Sequence, residues 1–191
     1  MRFVRTAVPA LPPVMRRVRR AVMAAGSALG ALLLAVGSAQ ALTLTGSGEV
    51  IDSDLILLDG HRVYLLGVES IEADQTCEVD GRPWECYPAA IRMLQTFVAE
   101  GPLTCDVVSG PDFLLQVIAT CTVAGEDIGE RLVRSGFAVA IPAETAAYDD
   151  AMATAQAERV GLWQGRFWLP AEWRAATGIL ADRPAFRPAA P

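Results

Sequence analysis

The sequence predicts an α+β protein, mainly β, in which a small closed barrel carries about three attached helices. Two observations place the strands. Residues 42–68 contain three strand-like runs separated by Asp-Ser and Asp-Gly turns, which is typical of an antiparallel meander. Two more β-rich runs, at about 103–108 and 113–123, bring the number of strands to five. A five-stranded OB-type barrel fits this order best.

Helical spacing of apolar residues predicts helices at about 88–100, 126–135 and 146–159. A Gly-Pro pair ends the first helix, and Gly136 follows the second as its expected C′ residue. The apolar run LWQGRFWLPAEW comes next, and we expect its three tryptophans to pack on the core. They are Trp163, Trp168 and Trp173.

The first 41 residues have the organisation of a secretory signal peptide. Six arginines precede an apolar stretch from about Ala21 to Val36, and Ala39-Gln40-Ala41 is a typical cleavage site. The stretch is interrupted by glycine and serine, and it is shorter than the roughly 20 apolar residues of a spanning helix. We therefore expect cleavage after Ala41 and a secreted or periplasmic protein without a transmembrane span.

Three points about this leader stay open. An uncleaved leader would hold the protein at the membrane. Met15 would give a more compact signal peptide than Met1. The two arginine pairs leave the choice between general secretory and twin-arginine export undecided.

Residues 42–175 are predicted to form one domain, which is long enough for a sizeable core. Residues 176–191 are rich in proline and alanine, and we interpret them as a flexible tail. No internal repeat is visible. The sequence identifies no partner, and a monomer is the default expectation.

Charge argues against a nucleic-acid partner. The whole chain has 16 basic and 22 acidic residues and a net charge of −6. Six of the basic residues and none of the acids lie in residues 1–41, so the remainder carries ten arginines, no lysine and a net charge of −12. Affinity for a polyanion depends on clustered basic residues that release counterions. Composition therefore gives no support for a nucleic-acid partner, which would need a specific site.

All four cysteines follow the leader, and an even number in an oxidising compartment predicts two disulfides. Cys77 and Cys86 flank a polar turn that can bring them together, and Cys105 and Cys121 can face each other across a hairpin. The sequence thus favours the pairs Cys77–Cys86 and Cys105–Cys121. A zinc site is disfavoured because there is no C-x-x-C motif and only one histidine.

Five ordered segments carry a resemblance to a known family. They are VIDSDLI (50–56), RVYLLGVESIE (62–72), QTC with WEC (75–77, 84–86), DFLLQVIATC (112–121), and GLW with PAEWR (161–163, 170–174). No single segment is decisive, but the ordered set spans residues 47–174 and resembles the staphylococcal nuclease-like, or thermonuclease, domain. That family implies an OB-type barrel and Ca²⁺-dependent hydrolysis of phosphodiester bonds in DNA or RNA.

The resemblance implies roles for three acids. Asp54 matches a metal-ligand aspartate, and Glu69 falls where a second aspartate ligand is expected, so a weak Ca²⁺ site is predicted there. Glu72 matches the carboxylate beside the attacking water, and we assign it as a vestigial base. A hard cation with oxygen ligands and a nearby carboxylate can position and activate water.

The two arginines that the family places on the phosphate are replaced by Tyr64 and Gln116. Loss of one such arginine can reduce kcat by about 10³–10⁵. Glu69 is also one methylene longer than the expected aspartate, and a misplacement of about 1 Å can cost on the order of 100-fold in rate. Arg62, on the same strand face as Tyr64, is the candidate substitute.

The sequence therefore predicts an exported, disulfide-linked pseudoenzyme of nuclease-like fold, which acts as a binding or structural module. The alternative is an active Ca²⁺-dependent nuclease with a rearranged phosphate site. Without the resemblance, the acids of these turns would be read as ordinary turn and capping residues.

Overall fold

The computed structural model describes residues 42–178, 180 and 183–187, all within the unit Ala41–Pro191. The predicted signal peptide and its cleavage site lie outside these residues. Among the helices that are described, none has the length and apolar character needed to span a bilayer.

The chain opens with the meander that the turn pattern predicts. The first strands are β1 (Thr43–Gly46), β2 (Glu49–Asp52), β3 (Leu55–Leu58) and β4 (His61–Leu65). Strands β2, β3 and β4 pair antiparallel in sequence order. Asp59 and Gly60 both have positive φ, 48° and 76°, as a two-residue type I′ hairpin turn requires.

The run LTLTGSGEVI, predicted as one strand, is divided into β1 and β2. A Cβ at Gly48 would lie 2.7 Å from side-chain carbons of both Ile56 and Leu103, so only glycine permits the close approach made at this bend. As a result β1 pairs with β8 (Leu103–Ser109), whereas β2 pairs with β3.

The main sheet has the order β1-β8-β9-β4-β3-β2, where β9 is Gln116–Val123, and the two-residue β10 (Glu126–Asp127) also pairs with β9. Strands β4 and β9 run parallel, with Tyr64 opposite Ile118, and the other pairs are antiparallel. The described sheet thus has seven strands rather than the predicted five, because β1 is separated from β2 and β10 is added. It forms a curled half-barrel in a mainly β, α+β fold.

Two smaller sheets extend this framework. Strand β5 (Val68–Ser70) pairs with β11 (Ala138–Ala140), and β6 (Cys77–Val79) forms a hairpin with β7 (Arg82–Trp84). The Cys77–Cys86 disulfide joins β6 to the helix after β7, and Cys105–Cys121 crosses the β8–β9 pair. Both predicted cysteine pairs are therefore present.

Four α-helices are described, one more than predicted. They are α1 (Cys86–Val98), α2 (Ile128–Arg134), α3 (Asp149–Glu158) and α4 (Pro170–Thr177), with a 3₁₀ turn at Gly161–Gln164. Asp127 caps α2 by accepting a hydrogen bond from Glu130 N, and Gly136 follows it with φ 75° as predicted. Helix α4 begins in the aromatic run, where Pro170 suits the first helical position.

The core lies between the concave sheet and helices α1 to α3. Helix α1 contributes Ala90, Leu94 and Phe97, and the sheet contributes fully buried residues such as Ile56 and Val117. Packing of these apolar faces holds the β2–β3 turn and the segment after β5 close together, and the candidate site is built there.

Candidate functional site

The structure brings together the three acids that the resemblance selects. Asp54 lies in the β2–β3 turn, Glu69 in β5 and Glu72 just beyond β5. All three line one cavity of about 110 Å³. Its charged lining consists of Asp52, Asp54, Glu69, Glu72, Arg174 and Arg183.

Hydrogen bonds from two serines hold the acid-bearing segments in place. Ser53 is buried, and its Oγ donates to Ile71 O at 3.1 Å, which ties the β2–β3 turn to the loop after β5. Ser70 N donates to Asp54 Oδ2 at 3.4 Å, and Ser70 Oγ donates to Phe137 O at 3.1 Å. These hydrogen bonds hold the acid-bearing segments against one another.

Tyr64 and Gln116, the replacements for the expected arginines, do not line this cavity. Tyr64 is fully buried and packs with Leu55 and Ile118 on the outer side of the sheet from the main core. Gln116 lines a different cavity, beside Asp112. Arg62, the candidate substitute, pairs in register with Gln116 and also lies outside the acidic cavity.

Sequence reasoning missed Arg174, which is central to the cavity. Its Nη1 donates to Glu72 Oε1 at 2.6 Å, and its Nη2 donates to Glu69 Oε1. The sequence indicated Arg62 as the candidate substitute, whereas the structure places Arg174 at these acids. The PAEWR segment contained the signal, but 102 residues separate Arg174 from Glu72, and only the docking of α4 joins them.

The position of α4 is fixed by neighbouring contacts. Trp173 Nε1 donates to Asp74 Oδ1 at 3.2 Å, and Gln75 Nε2 donates to Trp168 O. Burial alone would lower the pKa of the Arg174 guanidinium, but the hydrogen bonds to Glu69 and Glu72 outweigh burial and raise this pKa above its ordinary value. The guanidinium of Arg174 therefore stays charged.

Arg183 also lies at the cavity, although it belongs to the segment predicted as a flexible tail. Its guanidinium donates to Val68 O at 3.0 Å, Leu65 O at 2.9 Å and Glu144 Oε2 at 2.6 Å. Glu144 in turn accepts from Gly67 N at 2.9 Å. Arg183 therefore connects the described part of the tail to the β4–β5 turn.

The arrangement of the acids differs from a cluster of carboxylates around a metal ion. In the part of the chain that is described, no three His, Cys, Asp or Glu side chains converge closely enough to hold a metal ion. Ca²⁺ takes six to eight oxygen ligands, whereas Glu69 and Glu72 each give an oxygen to Arg174. The resident cation at these carboxylates is a guanidinium.

The fold and cavity define a mainly β, α+β protein with a charge-compensated acidic site. No protein-family model matches the chain. A curated relative, succinoglycan biosynthesis protein ExoI of Rhizobium meliloti (strain 1021), is 31% identical over 145 residues, which cover 74% of this chain and 75% of the relative. The chain belongs to the family of this protein.

Proposed function

We propose that this chain is an exported, non-hydrolytic module of staphylococcal nuclease-like architecture, in which an arginine has taken the place of the metal ion. The observation that carries the proposal is the fork from Arg174 to Glu69 and Glu72. These are the two carboxylates to which the resemblance assigns a metal ligand and a base.

A five-stranded OB-type barrel is supported by the relation between β1 and β2. These strands stand at opposite ends of the sheet order, yet only Ser47 and Gly48 separate them in the chain. If β1 and β2 are counted as one bent strand and the two-residue β10 is left out, five strands remain. The bent strand then joins both ends of the sheet, as closure of a barrel requires.

Loss of hydrolysis is supported by what the two arginines bind. Phosphodiester cleavage relies on donors that are placed where charge grows on the phosphate. The guanidinium of Arg174 is used by two carboxylates, and that of Arg183 by two backbone carbonyls and Glu144. A phosphate would have to displace these partners and would meet four acids in the cavity lining.

The name of the relative supports a role in glycan biosynthesis. ExoI is described as a succinoglycan biosynthesis protein. We propose that the present chain serves the production of such a polymer as a binding or structural module outside the cytoplasm. The predicted leader and the two disulfides agree with that location.

A cleavage assay tests the non-hydrolytic assignment. Purified protein is incubated with single-stranded DNA and RNA in millimolar Ca²⁺ and, in parallel, with chelator. We expect no cleavage in either condition. Chelator-sensitive cleavage that is abolished by Glu72→Gln would show that the site is active.

The second candidate is a working Ca²⁺-dependent nuclease. It is favoured by one observation, namely that two arginines from the end of the chain line the same cavity as Asp54 and Glu72. In that case substrate would draw Arg174 from the carboxylates to the phosphate. The variant Arg174→Ala would then lose activity, whereas the non-hydrolytic proposal expects no activity to lose.

A further inference from the structure

A second, larger cavity lies beside the β6–β7 hairpin, separate from the acidic one. It has a volume of about 570 Å³, within the range of roughly 300–1,000 Å³ that small-molecule sites occupy. The two cavities share no lining residue. The side chains used below are Glu78, Pro83, Arg166, Phe167, Trp168 and Glu172.

The walls of this cleft are fixed by the backbone. Arg166 N donates to Glu78 O at 2.7 Å, and Glu78 N donates to Arg166 O at 2.9 Å, so the segment after the 3₁₀ turn is bound to β6. A Cβ on Gly165 would lie 2.0 Å from Glu78 O, so glycine is needed for this contact. The Cys77–Cys86 disulfide joins the other end of β6 to α1. A ligand would therefore meet a preorganised cleft.

The position of Trp168 differs from the one that the sequence predicts for the aromatic run. We expected all three of its tryptophans to pack on the core, but Trp168 is 52% exposed. Its backbone carbonyl accepts a hydrogen bond from Gln75, which fixes the position of the residue while much of its indole remains open to solvent. With Phe167 and Pro83 it gives the cleft an apolar component.

The polar groups of the cleft suit hydroxyl groups. Arg166 Nη2 lies 2.8 Å from both carboxylate oxygens of Glu78. A guanidinium has five donors and a carboxylate has about four acceptor positions, so this pair retains capacity for a ligand. Glu172, an exposed residue in the first turn of α4, adds a third charged group.

We propose that this cleft binds a short, uncharged stretch of polysaccharide. The face of a sugar ring that carries C–H groups packs on the negative face of an indole, and adjacent ring hydroxyls match the fork of a carboxylate or guanidinium. A polyanion is disfavoured because the cleft carries two acids and one arginine and residues 42–191 carry a net charge of −12. This assignment rests on the binding role proposed above and names its ligand class.

The test is isothermal titration calorimetry of the purified full-length protein. The probes are cellotetraose and laminaritetraose, which are uncharged oligosaccharides of glucose. We expect saturable binding of at least one probe and about tenfold weaker binding by Trp168→Ala, because this variant removes the indole face on which a sugar ring would stack. Trp168→Phe keeps an aromatic face and should restore part of the affinity.

Phe113→Ala is the matched control, since Phe113 is an aromatic residue that is 92% exposed and does not line the cleft. The Phe113→Ala variant should bind each oligosaccharide with the affinity of the wild type. Absence of binding to every probe at millimolar concentration would overturn the proposal, as would equal affinities of Trp168→Ala and the wild type. The cleavage assay reports on the other cavity, so failure of the glycan proposal and failure of the non-hydrolytic assignment give different results.

Discussion

Arg174 donates from Nη1 to Glu72 Oε1 at 2.6 Å, and thereby binds the residue to which the nuclease resemblance assigns the base. Its second terminal nitrogen binds Glu69. One side chain from α4 thus compensates the charges of two largely buried acids. The side chains of Glu69 and Glu72 are 19% and 26% exposed. Acids that would otherwise repel each other become part of the domain's internal structure.

Arg174→Ala should destabilise the protein, because it leaves two partly buried carboxylates without their cation. We expect a loss of about 1–3 kcal/mol in the free energy of unfolding, between the values for exposed and fully buried pairs. Urea unfolding followed by circular dichroism measures it. Arg92→Ala, which removes an exposed arginine from α1, is the control and should change stability by less than about 0.5 kcal/mol. Equal effects of the two variants would mean that the fork contributes little.

Tyr64→Arg, the simplest attempt to restore the expected family arginine, should damage the fold instead of creating activity. Tyr64 is fully buried against Leu55 and Ile118, and the Arg183 guanidinium already lies 5.8 Å from its ring centroid. A second guanidinium there would be buried without a partner, at a cost of about 3–5 kcal/mol. Tyr64→Phe keeps the ring and should cost about 1–2 kcal/mol. A folded Tyr64→Arg variant with wild-type urea midpoint would contradict the packing role.

Removing either disulfide should lower stability. The Cys77–Cys86 and Cys105–Cys121 disulfides close loops with sequence separations of 9 and 16 residues. On the chain-entropy model each contributes about 3 kcal/mol to the free energy of unfolding, and the longer loop contributes more. Paired Cys→Ala variants of each bridge, compared by thermal unfolding, measure the difference. We expect the Cys105 and Cys121 pair to cost more, because both residues also belong to the main core. The reverse order would show that the β6–β7 hairpin governs unfolding.

The Glu100 carboxyl should titrate below its ordinary range. Arg131 donates to both of its oxygens, at 2.6 and 2.7 Å, and these hydrogen bonds lower the pKa of Glu100. A lowered carboxyl pKa stabilises the fold above the unfolded-state pKa, and this contribution is lost as the pH falls through the folded-state value.

Carboxyl ¹³C NMR of Glu100 measures this midpoint directly. Arg131→Gln should raise the midpoint towards that of a free glutamate. Arg134→Gln, which removes the neighbouring pair with Glu130, should leave it unchanged. An unaltered midpoint in Arg131→Gln would show that the pair does not persist in solution.

Local signals in the sequence were sufficient for most of the framework. Period-two patterns and Asp-Gly turns predicted the β2–β3–β4 meander, and Gly136 predicted the end of α2. The division of the first strand was missed because it depends on a contact of Gly48 with Leu103, 55 positions away in the chain. Pattern reasoning describes neighbours in sequence, and this bend is decided by neighbours in space.

The site was predictable on its acidic side only. Asp54, Glu69 and Glu72 were selected by the resemblance to the nuclease-like family, and the structure places all three at one cavity. Arg174 lies on a helix that no periodic pattern predicted, and Arg183 lies in a Pro-rich segment that we interpreted as a tail. The flexibility of residues 176–191 stays a prediction, but Arg183 contacts the β4–β5 turn.

A calcium titration tests most directly the claim that Arg174 stands where a metal ion would be. Isothermal titration calorimetry of the wild-type protein with millimolar CaCl₂ should give no saturable heat, because Glu69 and Glu72 are already bound by the guanidinium. Saturable Ca²⁺ binding by the wild type that disappears in Glu69→Gln would contradict the account.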